Sequence, residues 1–211
     1  METVKEISKV SLKTGLFKEL ELIIMDHTSI LSPMNDNGYD VADYYKINPQ
    51  FGTMDDMDEL IRQCNKRGIG LMLDMVFNHT STDHEWFQKA LSGDKEYQDY
   101  YIFKDGKEDE LPTNWQSKFG GPAWKYVKSL KKWYLHLFDV TQADLNWRNP
   151  KVREELKNVV RFWKEKGVKG FRFDVVNLIS KPDKYENDCE GDGRRFYTDG
   201  MHVHEYLKRI S

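Results

Sequence analysis

The chain has 211 residues, ample for one hydrophobic core but short of the roughly 250 typical of a closed (β/α)8 barrel. Its 32 basic and 35 acidic residues leave a formal net charge of −3, which argues against nucleic acid or an anionic membrane as partner and favours a small, locally recognised ligand. Cys64 and Cys189 are too few for a disulfide framework, and the start of the chain has neither a signal-type apolar core nor a membrane span, its longest apolar run being Leu22 to Met25; a soluble, cytoplasmic protein is expected.

Taken in chain order, residues 1–31 read as an atypical opening, with a helix expected through Leu12–Leu20 and a strand near Leu22–Met25. The segment MNDNGYDVADYY (residues 34–45) then mixes turn formers with carboxylates and aromatic rings. After Phe51 a helix entry follows: Thr53 as N-cap, Asp55 and Asp56 in the first turn, Met57, Leu60, Ile61 and Cys64 at helical spacing, and Gly68 to close it. GIGLMLDMVFNH (68–79) is a short apolar run with little alternation, the signature of a parallel strand covered on both faces.

Residues 80–148 exceed the roughly 12–15 residues of an unstructured loop, so they are read as a loop-rich inserted subdomain. They carry the charged turn KDGKEDELP (104–112), the aromatic stretch NWQSKFGGPAWKY and then YLHLFDV. A second helix enters at Asn149 and Pro150, presents Val152, Leu156, Val159, Val160 and Trp163 on one side, and stops at Gly167. GFRFDVV (170–176) follows as a second buried strand. Helix, strand, helix, strand with tight glycine stops predicts β/α units on a parallel sheet, formed by residues 32–79 and 149–211. In such an arrangement the loops after the strands build the site, so the insertion should wall a pocket.

Both strands end in polar clusters. The first ends in Asp74, Asn78 and His79, and the second places Arg172 and Asp174 two apart, on one side of a strand. A carboxylate in a buried strand needs a cation or several donors beside it, and Arg172 is the partner expected for Asp174. Two readings stay open from the residues alone: a structural ion pair that holds the loop ends, or a nucleophile kept ionised by a guanidinium. Tyr39 and His79 are equally open to packing or loop roles.

DMVFNH (74–79), GFRFD (170–174) and QADLN (142–146), with the pocket-like MNDNGYDVADYY segment, resemble in kind and order the signatures of the α-amylase family of retaining glycosidases, in its oligo-1,6-glucosidase group. The resemblance runs from about Ser32 to the C-terminus. It implies a partial (β/α)8 TIM barrel, about strands 2 to 4, with the inserted subdomain after strand 3. It further implies Asp174 as nucleophile, Arg172 as the group that orients it, Asp36, Tyr39 and His79 as glucose-binding residues, and Asp40, Asp74 and Asn78 as supports. Neither a metal nor a cofactor is implied.

Within the group, Val175 after the nucleophile goes with linkages other than 1,4. NWQSKFGG, LFDVTQADLNW, DVVNLISKP and GDGRRFYTDG resemble phospho-α-(1,1)-glucosidases, which implies hydrolysis of trehalose 6-phosphate to glucose and glucose 6-phosphate. Neutral isomaltose-type sugars are the alternative substrate. Lys118, Arg194 and Arg195, expected in loops, are the candidate phosphate contacts by charge. Asp188, Glu190, Asp192, Gly193 and Asp199 fall on positions 1, 3, 5, 6 and 12 of a calcium-loop template, but Asp199 stands where that template has a bidentate Glu and Pro182 precedes the loop, so an acidic surface loop is expected.

Retaining hydrolysis needs a second carboxyl group about 5–5.5 Å from the first. The family's general acid comes from later strands, and no residue here matches it. The expectation is therefore a piece of a longer enzyme, inactive alone, prone to self-association through exposed sheet edges, or else surviving as a non-catalytic carbohydrate-binding or structural module.

Overall fold

The computed structural model describes residues 22–25, 30–31, 33 and 35–210, the pairs of segments 22–25 and 30–31 in backbone only. The helix expected through Leu12–Leu20 lies outside the described residues. Three parallel strands form the central sheet: β1 (Leu22–Met25), β4 (Gly70–Val76) and β10 (Gly170–Asp174), in the order β1-β4-β10. Before β4, the short β2 (Ile30–Leu31) pairs antiparallel with β3 (Asp43–Ile47).

Each of the two later central strands is fed by a helix. Helix α1 (Met54–Lys66) starts on a reciprocal cap, in which Thr53 Oγ1 accepts from Asp56 N–H at 3.2 Å and Thr53 N–H donates to Asp56 Oδ2 at 3.0 Å, an arrangement worth about 1 kcal/mol. Its Met57, Leu60, Ile61 and Cys64 are buried, as their spacing predicts. Helix α4 (Pro150–Lys166) starts at Asn149, whose side chain accepts from Lys151 N–H, and buries Val152, Leu156, Val159 and Trp163. Gly167 closes it at φ +104°; a Cβ there would also lie 2.9 Å from Asn65 and 3.0 Å from Ile61, so glycine serves both the left-handed turn and the close approach to α1.

Two sequence expectations need correction. GIGLMLDMVFNH is not one strand: β4 ends at Val76, and His79 opens β5 (His79–Ser81), which leaves the parallel sheet. GFRFDVV is neither seven residues long nor buried on both faces. It ends at Asp174, Val175 turns at φ +45° into a 3-10 turn (Val176–Leu178), and the strand's residues are only half-buried, with Arg172 exposed. The physical reason is that β10 is an edge: among the described residues it pairs with β4 alone.

The long segment between β4 and α4 folds into α2 (Glu85–Leu91), α3 (Lys95–Gln98), an antiparallel sheet of β6 (Phe103–Asp105), β7 (Trp124–Val127) and β8 (Lys132–Leu135) in the order β6-β8-β7, and β9 (Gln142–Asp144), which pairs antiparallel with β5. It shares the main apolar core: Phe87, Tyr101 and Tyr134 belong to the cluster that holds Leu71, Leu73, Leu156 and Trp163. Trp115, Trp124, Leu135, Leu178 and Tyr197 form a second cluster. The chain closes with α5 (Arg194–Tyr197) and α6 (Val203–Ile210), whose Tyr206 packs against Trp147. Among the described residues no helix is long and apolar enough to cross a membrane.

Candidate functional site

Parallel pairing of β4 with β10 sets Arg172 opposite Asp74 and Asp174 opposite Val76. The alternation of a strand then puts all three charged side chains on one face. The guanidinium forks: one nitrogen donates to Asp74 Oδ2 and the other to Asp174 Oδ1 at 2.9 Å, while the Tyr39 side chain accepts from it as well. Asp74 is fully buried, whereas Asp174 keeps a quarter of its side-chain surface and Arg172 nearly half. The charge of Asp74, more than that of Asp174, holds the Arg172 pKa above the ordinary arginine range against the opposing effect of burial. Arg172 was expected to serve Asp174; it binds Asp74 as well, so the buried carboxylate anchors the guanidinium while the partly exposed Asp174 takes its other nitrogen.

The β5–β9 ladder brings a second group of residues to the same region, pairing His79 with Asp144 and Ser81 with Gln142. Thus DMVFNH and QADLN, more than sixty residues apart, meet as adjacent strands. His79 is buried, with Nδ1 3.1 Å from Asn78 Nδ2 and Nε2 3.1 Å from the Tyr39 carbonyl. Donation from Asn78 to Nδ1 places the ring proton on Nε2, where the Tyr39 carbonyl accepts it. Burial lowers the His79 pKa, outweighing the pull of Asp144, so the ring is neutral near pH 7. Gln142 Nε2 donates to Asp36 Oδ2 at 3.1 Å and touches His79 Nε2 at the same distance.

Contacts therefore run unbroken from Asp174 through Arg172, Tyr39, His79 and Gln142 to Asp36. Asp40 is buried beside this chain; its Oδ2 accepts from Asn35 at 2.8 Å, and burial raises its pKa against that hydrogen bond.

Three residues of this network carried no role in the sequence reading. Lys181, 3% exposed, donates from Nζ at 2.6 Å to Asp144 Oδ2, to Asn78 Oδ1 and to the Leu178 carbonyl. Asp144, with no side-chain exposure, also accepts from Asn78 Nδ2 at 3.1 Å and Leu137 N–H at 3.0 Å. The ion pair thus clamps Asn78, and through it the His79 ring. Burial lowers the Lys181 pKa while Asp144 opposes that fall. Asp144 and Gln142 lay inside the QADLN segment; Lys181 had only the weak signal of a lone lysine after an apolar run, which usually means a solvated chain.

The three candidate phosphate contacts separate. Lys118 Nζ lies 5.8 Å from the Phe138 and Tyr197 ring centroids, and Phe138 itself packs on His79 at 5.2 Å. Burial lowers the Lys118 pKa, helped by the Arg194 charge. Arg194 and Arg195 lie in α5, not in a loop as expected. Arg194 pairs with Asp192 at 2.9 Å, and Arg195 is taken by Asp188 at 2.8 Å and Glu190 at 2.7 Å. Asp188 is occupied further by the backbone N–H groups of Glu190 and Gly193, at 3.1 and 3.0 Å. Its carboxylate holds its own loop, and among the described residues no group of three or more His, Cys, Asp and Glu is arranged to hold a metal ion.

The family described as alpha amylase, catalytic domain, matches residues 29–211. The chain belongs to the α-amylase family. Among curated members it is 55% identical over 181 residues to the trehalose-6-phosphate hydrolase of Escherichia coli (strain K12), covering 86% of this chain and 33% of that protein. It is 43% identical over 206 residues to the oligo-1,6-glucosidase of Bacillus cereus, covering 94% and 37%. The crystal structure of Bacillus licheniformis trehalose-6-phosphate hydrolase superimposes with a TM-score of 0.94 at 48% identity, over 99% of this chain and 38% of that one. The chain therefore spans little more than a third of the length of these α-amylase family members. Its fold is accordingly a portion of the family's β/α barrel, and among the described residues the parallel strands do not close.

Proposed function

We propose that this chain carries the nucleophile half of a retaining α-glycosidase site and that its substrate is trehalose 6-phosphate, split to glucose and glucose 6-phosphate when the general acid is supplied. The observation that carries this reading is the forked guanidinium: Arg172 is anchored by the buried Asp74 and turns its other nitrogen to the partly exposed Asp174. A carboxylate oriented through one oxygen by such a cation keeps its other oxygen to attack an anomeric carbon. Tyr39 offers a ring face to glucose and Asp36 an acceptor, while His79 spends its Nε2–H on the Tyr39 carbonyl and so positions Tyr39. The three parallel strands take the places of about the second to fourth strands of the barrel.

The phosphate reading rests on the similarity to trehalose-6-phosphate hydrolases and on Lys118, half-buried near Phe138 and Arg194. Arg195, already neutralised by two carboxylates, is the weakest of the three candidates. Calorimetry on the full chain with trehalose 6-phosphate and with isomaltose tests the substrate class. Tighter binding of the phosphorylated sugar, weakened by Lys118→Gln, supports it. Preference for isomaltose assigns the neutral-sugar specificity instead, and no binding of either favours a non-catalytic structural role. Turnover by the chain alone should be undetectable; glucose release abolished by Asp174→Ala would reveal a second catalytic carboxyl group within it.

A further inference from the structure

A second depression, of about 410 Å3, opens where β6 and α3 meet the segment after Lys181. It shares no lining residue with the chain of contacts from Asp174 to Asp36. Its volume falls within the roughly 300–1,000 Å3 of small-molecule sites.

Four cations line it, Lys95, Lys104, Lys132 and Arg148, against the carboxylates Asp99 and Asp183. Both carboxylates are already engaged, Asp183 by Arg148 and Asp99 by Asn149 Nδ2 at 3.0 Å. Lys132 leans on the exposed Asp105 at 2.8 Å, and among the described residues Lys95 reaches only the Gln98 amide oxygen, at 3.4 Å. Lys104 is the informative residue. No carboxylate pairs with it among the described residues, and its Nζ rests 4.2 Å from the centroid of the Tyr185 ring. Burial, with the Arg148 charge adding to it, lowers its pKa.

Positive charges facing one another across a partly desolvated wall repel, and an anion with several oxygens relieves that repulsion while giving each N–H an acceptor. The ammonium of Lys104 and the guanidinium N–H groups that Arg148 does not spend on Asp183 suit a phosphate group, and Phe103 lends the wall apolar surface for a sugar. The geometry points to a second ligand site for a small phosphate monoester of the hexose-phosphate class, separate from the Asp174 site and independent of the glycosidase reading.

Calorimetry of the full chain with glucose 6-phosphate, and with glucose as the uncharged control, tests it on samples whose circular dichroism is that of a folded protein. The site predicts saturable binding of glucose 6-phosphate for which glucose does not compete. Lys104→Gln should weaken that binding by roughly tenfold or more, as loss of a charge-assisted contact implies. Lys104→Arg should retain it, and Asp174→Asn and Lys118→Gln should leave it unchanged. The inference is overturned by no saturable binding, by Lys104→Gln binding like the parent chain, or by loss in Lys118→Gln instead, which would put the phosphate at the Asp174 site.

Discussion

Replacing Lys181 with methionine should be among the most damaging single changes in the molecule. The ammonium makes three contacts of 2.6 Å, to Asp144, Asn78 and the Leu178 carbonyl, in a position where its own side chain is 3% exposed and that of Asp144 is not exposed. Removing one partner of a buried ion pair costs roughly 3–5 kcal/mol, because the other charge stays desolvated. Asp144 keeps its bonds from Leu137 N–H and Asn78 Nδ2, so the lower end, about 3 kcal/mol, is expected. For a chain of this size that is a fall in Tm of roughly 6–12 °C. Urea and thermal unfolding of Lys181→Met, Asp144→Asn and the double variant measure it. The double variant should recover at least about 1 kcal/mol relative to Lys181→Met, since it removes the stranded charge. Lys181→Met within about 1 kcal/mol of the parent would refute the reasoning.

Acid should destabilise the fold in a defined window. Burial pushes the His84 pKa down to about 4, whereas the imidazole of an unfolded chain titrates near 6.5. Between these values the unfolded chain binds a proton that the folded chain refuses, so the stabilisation is fully present above about pH 6.5 and is lost as pH falls towards about 4, by roughly 3 kcal/mol, with buried His79 acting in the same direction. Thermal melts across that range should show the slope, and His84→Asn, which keeps an acceptor for Trp86 N–H, should flatten it; a flat parent profile contradicts the assignment. Gly200→Ala places a Cβ 2.1 Å from the Ser180 carbonyl oxygen and should cost about 1–3 kcal/mol in urea unfolding by displacing the backbone next to Lys181; an unchanged midpoint refutes it. Because β1 and β10 each pair only with β4 among the described residues, the isolated chain should associate as its concentration rises, seen by sedimentation; a monomer with a sharp, concentration-independent transition contradicts that.

The two helix–strand units were legible because their signals are local. Thr53 with Asp56, Asn149 with Pro150, and the buried helix stripes act within a few residues of one another. The strand ends were not, because what ends β4 and β10 is tertiary: β5 departs to pair with β9, and Val175 adopts a left-handed turn that a β-branched residue disfavours. In the site, Arg172 and Asp174 could be placed on one face from strand alternation alone, but bringing Asp74 to that face, and with it the fork of Arg172 to both carboxylates, needed the β4–β10 register. Lys181 escaped notice because a single lysine says nothing about burial; only the pairing of His79 with Asp144 creates the cavity it fills. The same limit applied to Arg194 and Arg195, whose carboxylate partners sit in a loop that the sequence shows as acidic but cannot fold.

The claim on which the functional reading depends is that Asp174 is an accessible nucleophile oriented by Arg172. It can be isolated from the question of the general acid, since a fluoride leaving group departs with little need of protonation. The full chain should be incubated with an α-glucosyl fluoride whose ring carries a second, deactivating fluorine to slow hydrolysis, and then digested for peptide mass spectrometry. A glucosyl adduct on the peptide bearing Asp174, absent in Asp174→Asn and reduced in Arg172→Gln, is the predicted result. Folded chain that remains unlabelled, or labelling on another carboxylate, would contradict the account.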